Sequence, residues 1–314
     1  MPASESLFTR DPHNPILTRA DWPYSVNAVM NAGATTFRDE TALVCRVEDR
    51  RGLSHLALAR SADGTTAWRI GAAPMLAPAP GRPEEIWGLE DARVTRVEEL
   101  GCWVVVYTAF GPGGPGISFA TTTDFESFER LGVVMAPENK NGALFPRTIN
   151  GDFVLFHRPV SSFGGGSGVW ISRSPDMVSW TPPELTLPAR EGGWWDSARL
   201  GAGAPPLETD AGWLVVYHGV RQTVAGALYR MGAALLDLDD PTIVRHRSAE
   251  WLLGPNADYE RTGDVPGVVF PCGLVHDAEH DRVRVYYGAA DTSIAVASAS
   301  LRDLIGYLEG CPPN

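Results

Sequence analysis

One pattern recurs along the 314-residue chain and restricts its architecture more than any other feature: an apolar strand that runs into a Ser/Thr–Asp turn. It stands at 56–64 (LALARSADG), 118–125 (SFATTTDF) and 170–176 (WISRSPD), and in weaker form at 233–239 (AALLDLD) and 295–303 (AVASASLRD). The final acids Asp63, Asp124, Asp176, Asp239 and Asp303 are 61, 52, 63 and 64 residues apart. In the first three copies an aromatic residue follows closely: Trp68, Phe128 and Trp180. An aspartate at such a turn can accept hydrogen bonds from backbone amides just ahead of it. Each interval holds about four short runs rich in Val, Tyr, Trp and Phe, such as those at 102–107, 152–157 and 213–218. Four strands per unit of this length is what a β-propeller blade requires. Five units predict an all-β chain, a five-bladed β-propeller forming a single domain over 1–314, with one short helix at 301–308. A β-sandwich has similar strand density but no reason to repeat at this interval. Segments 77–83, 111–116 and 161–168 read as surface loops, and none has the spacing of a phosphate-binding P-loop.

Charge narrows the partners. The formal net charge is −12, a poor match for nucleic acid or an anionic membrane, which need a broad positive field. No uncharged apolar stretch approaches the roughly 18 residues needed to cross a bilayer, and residues 1–12 lack the apolar run of a secretory signal. Cys45, Cys102, Cys272 and Cys311 are far apart, with no CxxC spacing. They read as reduced, packed thiols of a cytoplasmic protein rather than as a disulfide framework or zinc site. His276 and His280 have no third ligand nearby, so no metal is expected. A homo-oligomer is compatible with the sequence but not specified by it.

In a small propeller, ligands bind at the axis, where strand ends converge. The candidate residues are therefore the polar ones that end or flank apolar runs. Unit one offers Asn31 and Arg46, and unit two offers Glu90, Asp91, Arg93 and Tyr107. Unit three offers Lys140, Asn141, His157 and Arg158; unit four offers Trp195, Asp196, Arg199, Tyr217, His218 and Tyr229; unit five offers Glu260, Tyr286, Tyr287 and Asp291. Taken singly most have plain structural readings: Asp196 as a turn cap, His157 as a strand end, Glu90 and Asp91 as an exposed ion network with Arg93. The set is more informative. Lys140, Arg158, Arg199 and His218 bring several cations to one axis of an acidic protein, and phosphate is a partner that suits them, Arg binding it bidentately and Lys as a point charge. Asp91, in Trp87-Gly88-Leu89-Glu90-Asp91-Ala92-Arg93-Val94, is an acid beside an indole at a strand edge, a setting for a group that protonates or holds a sugar.

These same stretches carry a family resemblance. The runs Asn14-Pro15-Ile16-Leu17, Trp87 to Val94, GWLVVYHG at 212–219, LLDL at 235–238 with Pro241, and YYGAAD at 286–291 are similar to glycoside hydrolase family 130, the β-mannoside phosphorylases. The match runs from about Asn14 to Leu308 in unbroken order, and the family fold is a five-bladed propeller. The resemblance implies that Asp91 is the general acid, acting through the 3-hydroxyl of the bound mannose. It implies phosphate contacts at Lys140, Asn141, Arg158, Arg199, His218 and Tyr229, and sugar contacts at Asn31, Arg46, Glu90, Glu260 and Asp291. Ala92 stands where many members have proline. Relative to the family pattern, Lys140 and Arg199 read as exchanges of lysine and arginine, which retain charge but change bidentate geometry. The implied reaction is inverting phosphorolysis of a β-mannoside of the β-1,4-manno-oligosaccharide type, with inorganic phosphate as co-substrate and no cofactor. It yields α-D-mannose 1-phosphate and a shortened acceptor. Phosphate is already anionic and needs no carboxylate to activate it, whereas an inverting hydrolase needs a base opposite the acid. Asp91 needs a proton at working pH, which the neighbouring Glu90 is expected to favour. A β-1,2-mannoside phosphorylase, a β-mannosidase of the same fold and a non-catalytic sugar-binding propeller are the alternatives.

Overall fold

A computed structural model describes residues 7–160 and 167–312. Most of the expected loop at 161–168 lies outside the described residues. A short strand β1 (Thr9–Arg10) is followed by four groups of strands that return on themselves as antiparallel meanders. The first is β2 (Ala28–Phe37), β3 (Glu40–Glu48), β4 (Ser54–Ser61) and β5 (Arg69–Ile70); the second is β6 (Gly88–Val97), β7 (Cys102–Gly111), β8 (Gly114–Thr122) and β9 (Glu129–Met135). The third is β10 (Asn139–Leu144), β11 (Phe153–Pro159), β12 (Val169–Ser174) and β13 (Glu184–Leu187). The fourth is β14 (Arg199–Ala202), β15 (Leu207–Thr209), β16 (Gly212–Thr223), β17 (Gly226–Leu236) and β18 (Val244–Arg247). After a helical turn α1 (Asp258–Arg261) come β19 (Val269–Asp277), β20 (Arg282–Ala289) and β21 (Ser293–Ser300), then helix α2 (Leu301–Glu309).

The last group has three strands of its own, and β1 supplies the fourth by pairing with β21 (Thr9 opposite Ser298). The first two groups are hydrogen-bonded into one eight-stranded sheet, yet a single parallel bridge, Ser54 to Gly88, joins them. Apolar side chains fill the space between each group and the next. Leu56 and Val44 meet Leu89 and Val105; Val106 and Phe119 meet Leu155; Phe156 and Ile171 meet Trp213; Leu214 and Val216 meet Val285 and Tyr287. A fifth cluster joins Tyr286, Ile294 and Val296 of the last group to Val29, Ala32 and Leu43 of the first.

The repeated turn has a common construction after the third strand of a group. Ser61, Thr122 and Ser174 each donate a hydroxyl to the acid two residues on, Asp63, Asp124 and Asp176. Each carboxylate then accepts the two amides that lie two and three residues beyond it, Thr65 and Thr66, Glu126 and Ser127, Val178 and Ser179. The fourth and fifth copies differ from expectation. After β17 the accepting acid is Asp237, not Asp239. After β21 the chain enters α2, where the Ser300 hydroxyl accepts from the Asp303 amide as an N-cap. The segment expected as a long loop at 111–116 is a tight hairpin between β7 and β8, with Gly111 paired to Gly114. Among the described residues no helix is long and apolar enough to cross a membrane.

The first strands of the groups lie beside one another: β2 contacts β6 and β19, and β10 contacts β6 and β14. Three carry a β-bulge at corresponding places, between Met30 and Gly33, Glu90 and Arg93, and Lys140 and Ala143. Each bulge begins with an Asx residue in the left-handed region: Asn31 (φ 49°), Asp91 (φ 50°) and Asn141 (φ 57°). Short polar side chains tolerate this conformation, and a bulge re-aims the side chain it carries. The residue that follows is small, Ala32, Ala92 or Gly142.

Tight packing continues behind the first strands. A Cβ at Gly219, one residue after His218 on β16, would lie 2.4 Å from Asp196 Cβ and 2.5 Å from the Trp195 ring. Gly219→Ala is expected to destabilise the fold by about 2–3 kcal/mol through overpacking. Urea unfolding measures this directly, and an unchanged midpoint would show that Trp195 and Asp196 can yield.

Candidate active site

The bulges, the far end of β16 and the β20–β21 turn open on one cavity of about 380 Å³. Every residue named above as a phosphate or sugar contact lines it except Glu260, together with Asp91 and four apolar residues, Val160, Val265, Val268 and Phe270. Glu260 is fully buried elsewhere. Its carboxylate accepts from Arg10 (2.8 and 2.9 Å), from Tyr287 Oη (2.8 Å) and from the Asn256 and Ala257 amides. It ties β1 to the start of α1 and has no free oxygen to offer a sugar.

One end of the cavity carries the acids. Asp91 Oδ1 accepts from Asn31 Nδ2 at 2.8 Å and from Arg46 Nη1 at 3.2 Å. Arg46 also donates to Glu90 Oε1 at 3.1 Å and to Ser54 Oγ at 2.9 Å, while Lys140 Nζ stands 3.8 Å from Glu90 Oε2. Lys140 therefore sits on the Glu90 side as well as at the cationic end. Asn31 is packed so closely on β20 that a Cβ at Gly288 would be 1.9 Å from its Oδ1. Burial by itself raises the Asp91 pKa, but Arg46, Arg93, the Asn31 hydrogen bond and Lys140 outweigh it and hold the carboxyl below the usual carboxylate range. This corrects the expectation that Glu90 favours a protonated Asp91: the surrounding cations dominate and Asp91 is ionised.

The carboxyl that holds its proton more tightly than usual is Asp291. It follows Ala290 in a left-handed turn (φ 48° and 51°) and accepts no side-chain hydrogen bond among the described residues. Burial, then the charge of Asp91, push its pKa up to about 6 against the opposing pull of Arg46.

The other end is cationic and lacks counter-ions. Arg158 Nε donates to Asn141 Oδ1 at 2.9 Å, and Arg199 Nη2 to Tyr229 Oη at 2.5 Å. Among the described residues neither guanidinium has a carboxylate partner. Burial and the charges of Arg199 and Arg93 lower the Arg158 pKa to about 10, which still leaves it protonated at neutral pH. His218 is buried, lies 4.4 Å from the Phe270 ring centroid, and its Nδ1 has no hydrogen-bond partner among the described residues. Burial, then Arg158, Arg93 and Arg199, push its pKa well down. It was expected among the cations; it is a neutral imidazole with hydrogen-bonding capacity to spare. A glycine at 201 is needed here, since a Cβ would fall 2.6 Å from Asn141 Oδ1 and 2.7 Å from His218 Cε1.

Arg93 stands beside Glu90 and Asp91 in the sequence, where an exposed ion network is expected. Instead it is 1% exposed and donates only to backbone: Asp91 O (2.6 Å), Gly203 O (3.0 Å) and Ala202 O (3.2 Å). The apolar floor of Val268 and Phe270 was not singled out from sequence, because nothing separates it from ordinary strand residues. Trp87 does not line the cavity; it is 44% exposed and packs edge-on against Phe110. Of the remaining polar candidates, Asp196 is fully buried, accepting from Arg247 (2.7 Å) and Tyr217 (3.1 Å), and His157 is buried between Asn139 and Ser172. Among the described residues no group of three or more His, Cys, Asp or Glu is placed to hold a metal.

The raised Asp291 pKa has a consequence for stability. The folded state holds this proton more tightly than the unfolded chain, so the contribution is fully present below about pH 4 and is lost as pH rises through about 6. The loss is on the order of 3 kcal/mol. Asp291→Asn should flatten this part of the pH–stability curve, measured by urea titration between pH 4 and 7.5. A variant curve parallel to the wild type would remove Asp291 as the group that titrates.

Comparisons with known proteins place this geometry in a family. The family model for glycoside hydrolase family 130, described as beta-1,4-mannooligosaccharide phosphorylase, matches residues 9–310. A beta-1,4-mannooligosaccharide phosphorylase of Ruminococcus albus is 38% identical over 305 residues, 94% of this chain and 89% of that protein. A beta-1,2-mannobiose phosphorylase of Listeria innocua is 40% identical over 257 residues, 82% of this chain and 69% of that protein. The solved structure of beta-1,2-mannobiose phosphorylase from Listeria innocua, in complex with beta-1,2-mannobiose, superposes with a TM-score of 0.88 at 32% identity, covering 96% of this chain and 99% of that one. An all-β chain whose match runs nearly end to end, with its predicted polar residues gathered in one cavity, belongs to glycoside hydrolase family 130.

Proposed function

We propose that the protein is a phosphate-dependent β-mannoside phosphorylase. It cleaves β-1,4-manno-oligosaccharide-type substrates with inversion, giving α-D-mannose 1-phosphate and a shortened acceptor. The observation that carries the reading is the polarity of the cavity: Asp91 at one end, and at the other Arg158 and Arg199, which have no carboxylate partner among the described residues. Arg158 is half-buried and Arg199 exposed at the cavity; two cations that repel one another and lack a carboxylate partner among the described residues favour an anion between them, and phosphate supplies it. A hydrolase of the same fold has no use for that pair. We further propose that the five strand groups, four of four strands and one of five, counting the eight-stranded sheet as two, are the blades of a five-bladed propeller forming one domain over 1–314. A cytoplasmic setting, with the free cysteines kept reduced, belongs to the same reading.

In the mechanism, the mannosyl ring lies between Asn31, Arg46, Glu90 and Asp291. Phosphate is held by Arg158, Arg199, Lys140, Asn141, Tyr229 and an N–H of neutral His218. A phosphate oxygen attacks the anomeric carbon, and the glycosidic bond breaks with its electron pair on the departing oxygen. That oxygen takes a proton from Asp91 through the 3-hydroxyl of the sugar, the relay implied by the family resemblance. Asp91 is ionised in the free site because cations surround it. Bound phosphate offsets that positive field and so raises the Asp91 pKa, which couples protonation of the acid to arrival of the nucleophile.

The linkage follows the family description and the relative matched over 94% of the chain. The close superposition on a β-1,2-mannobiose phosphorylase makes the β-1,2 linkage the second reading. Incubation of β-1,4- and β-1,2-mannobiose with and without phosphate separates the cases. Phosphate-dependent mannose 1-phosphate from the β-1,4 substrate is expected. Free mannose formed regardless of phosphate would establish a hydrolase, and binding without turnover a lectin-like protein.

Asp91→Asn is expected to lower kcat by about 10³-fold or more. The fold should be unchanged, because Asn also tolerates the left-handed bulge. Near-normal turnover would remove Asp91 from its role. Arg158→Gln is expected to raise KM for phosphate by tenfold or more, the loss of about one charge-assisted contact, with little change in KM for the mannoside. Equal effects on both would place Arg158 outside the phosphate pocket.

A further inference from the structure

A second cavity of about 620 Å³ shares a wall with the first. The start of β17 is the partition. Tyr229 lines the first cavity and its neighbours Leu228 and Arg230 line the second, as the alternation of a strand dictates. Tyr229 N is bonded to Gly267 O, so Val268 lies on one side and Gly267 on the other. Val265, 41% exposed, lines both. The second cavity therefore adjoins the Arg199–Tyr229 end of the site, not the Asp91 end.

Its lining includes two arginines, Arg230 and Arg261, and no acid. That is unusual in a chain of net charge −12. Arg230 lies over the Trp251 ring at 4.1 Å, and its Nη1 has no hydrogen-bond partner among the described residues. Burial and the nearby Arg221 both lower its pKa, and no carboxylate pairs with it among the described residues. Of the acids beside Arg261 in sequence, Asp264 accepts from Asn27 and Glu260 is spent on Arg10 and Tyr287, while Asp258, exposed in the same helical turn, does not line the cavity.

We propose that this cavity is an anion-gathering vestibule for the adjoining site, which concentrates inorganic phosphate before it reaches Arg199 and Arg158. The proposal rests on the phosphorylase reading. The net field of the protein repels phosphate, and a local positive cleft with low-dielectric walls beside the Arg199–Tyr229 end reverses that field there and raises the capture rate. Such a role predicts an effect on kcat/KM for phosphate, with strong dependence on ionic strength, and none on the chemical step.

The test uses Arg230→Gln, Arg230→Lys and Arg261→Gln in the full-length enzyme. Initial rates are measured against inorganic phosphate at about 0.02 and 0.3 M KCl, where screening lengths differ several-fold. For the two Gln variants kcat/KM for phosphate should fall about three- to tenfold at low salt, and the salt dependence should flatten. The kcat at saturating phosphate and KM for the mannoside should stay unchanged, and Arg230→Lys should keep most of the wild-type value. Because Arg230 also stacks on Trp251, Arg261→Gln is the variant that separates charge from local packing. Wild-type kcat/KM and salt slope in both Gln variants would overturn the proposal. So would a loss confined to longer mannosides, which would make the cavity a sugar subsite. If the wild-type enzyme shows no phosphate-dependent turnover, the phosphorylase reading fails first, an outcome distinct from either.

Discussion

The site depends on one buried guanidinium. Arg93 spans from β6 to β14 and gives its hydrogen bonds to three backbone carbonyls, including that of Asp91. It fixes the bulge that turns Asp91 into the cavity, and among the described residues no carboxylate is hydrogen-bonded to it, so its charge is left beneath the site. The same charge helps hold Asp91 ionised, helps keep His218 neutral, and adds to the repulsion felt by Arg158. Charge-assisted bonds to carbonyls satisfy the donors without cancelling the field. A carboxylate partner in that place would have silenced the site electrostatically.

The three Asx bulges express a second economy. Asn31, Asp91 and Asn141 occupy matching positions on the first strands of consecutive groups, each in a conformation that other side chains enter at a cost. Repetition of one backbone device thus delivers three different functions: a hydrogen-bond donor to the acid, the acid itself, and an acceptor that orients Arg158. The pattern Asx followed by Ala or Gly at 31–32, 91–92 and 141–142 is visible in the sequence. It is too short to be recognised until the strands are aligned in space.

Much of the architecture was legible because it is periodic. The acid turns at Asp63, Asp124 and Asp176 rest on local hydrogen bonds that the residues form with their own neighbours, so spacing alone exposes them. Where the local rule changed, the reading slipped: Asp237 replaces Asp239, and Asp303 sits in the first turn of a helix. The polar residues at strand ends were also legible, since a strand fixes where its ends emerge. Glu260 shows the limit of this reasoning. Its type and its place before β19 suited a ligand, but Arg10, 250 residues away, takes its carboxylate.

From its sequence alone, then, this chain was determined to be a repeating all-β protein, with the polar set of a mannoside-phosphorylase family at the strand ends. Those properties are local, set by alternation, turn chemistry and residue type. Only the tertiary structure decided protonation states and partners. Asp91 is held charged, Asp291 binds its proton more tightly than an ordinary carboxyl, His218 is neutral, and Arg93 is buried with no carboxylate hydrogen-bonded to it among the described residues. Each of these follows from burial and from charges brought together from distant parts of the chain, and electrostatic energy depends on distance through space rather than along the sequence.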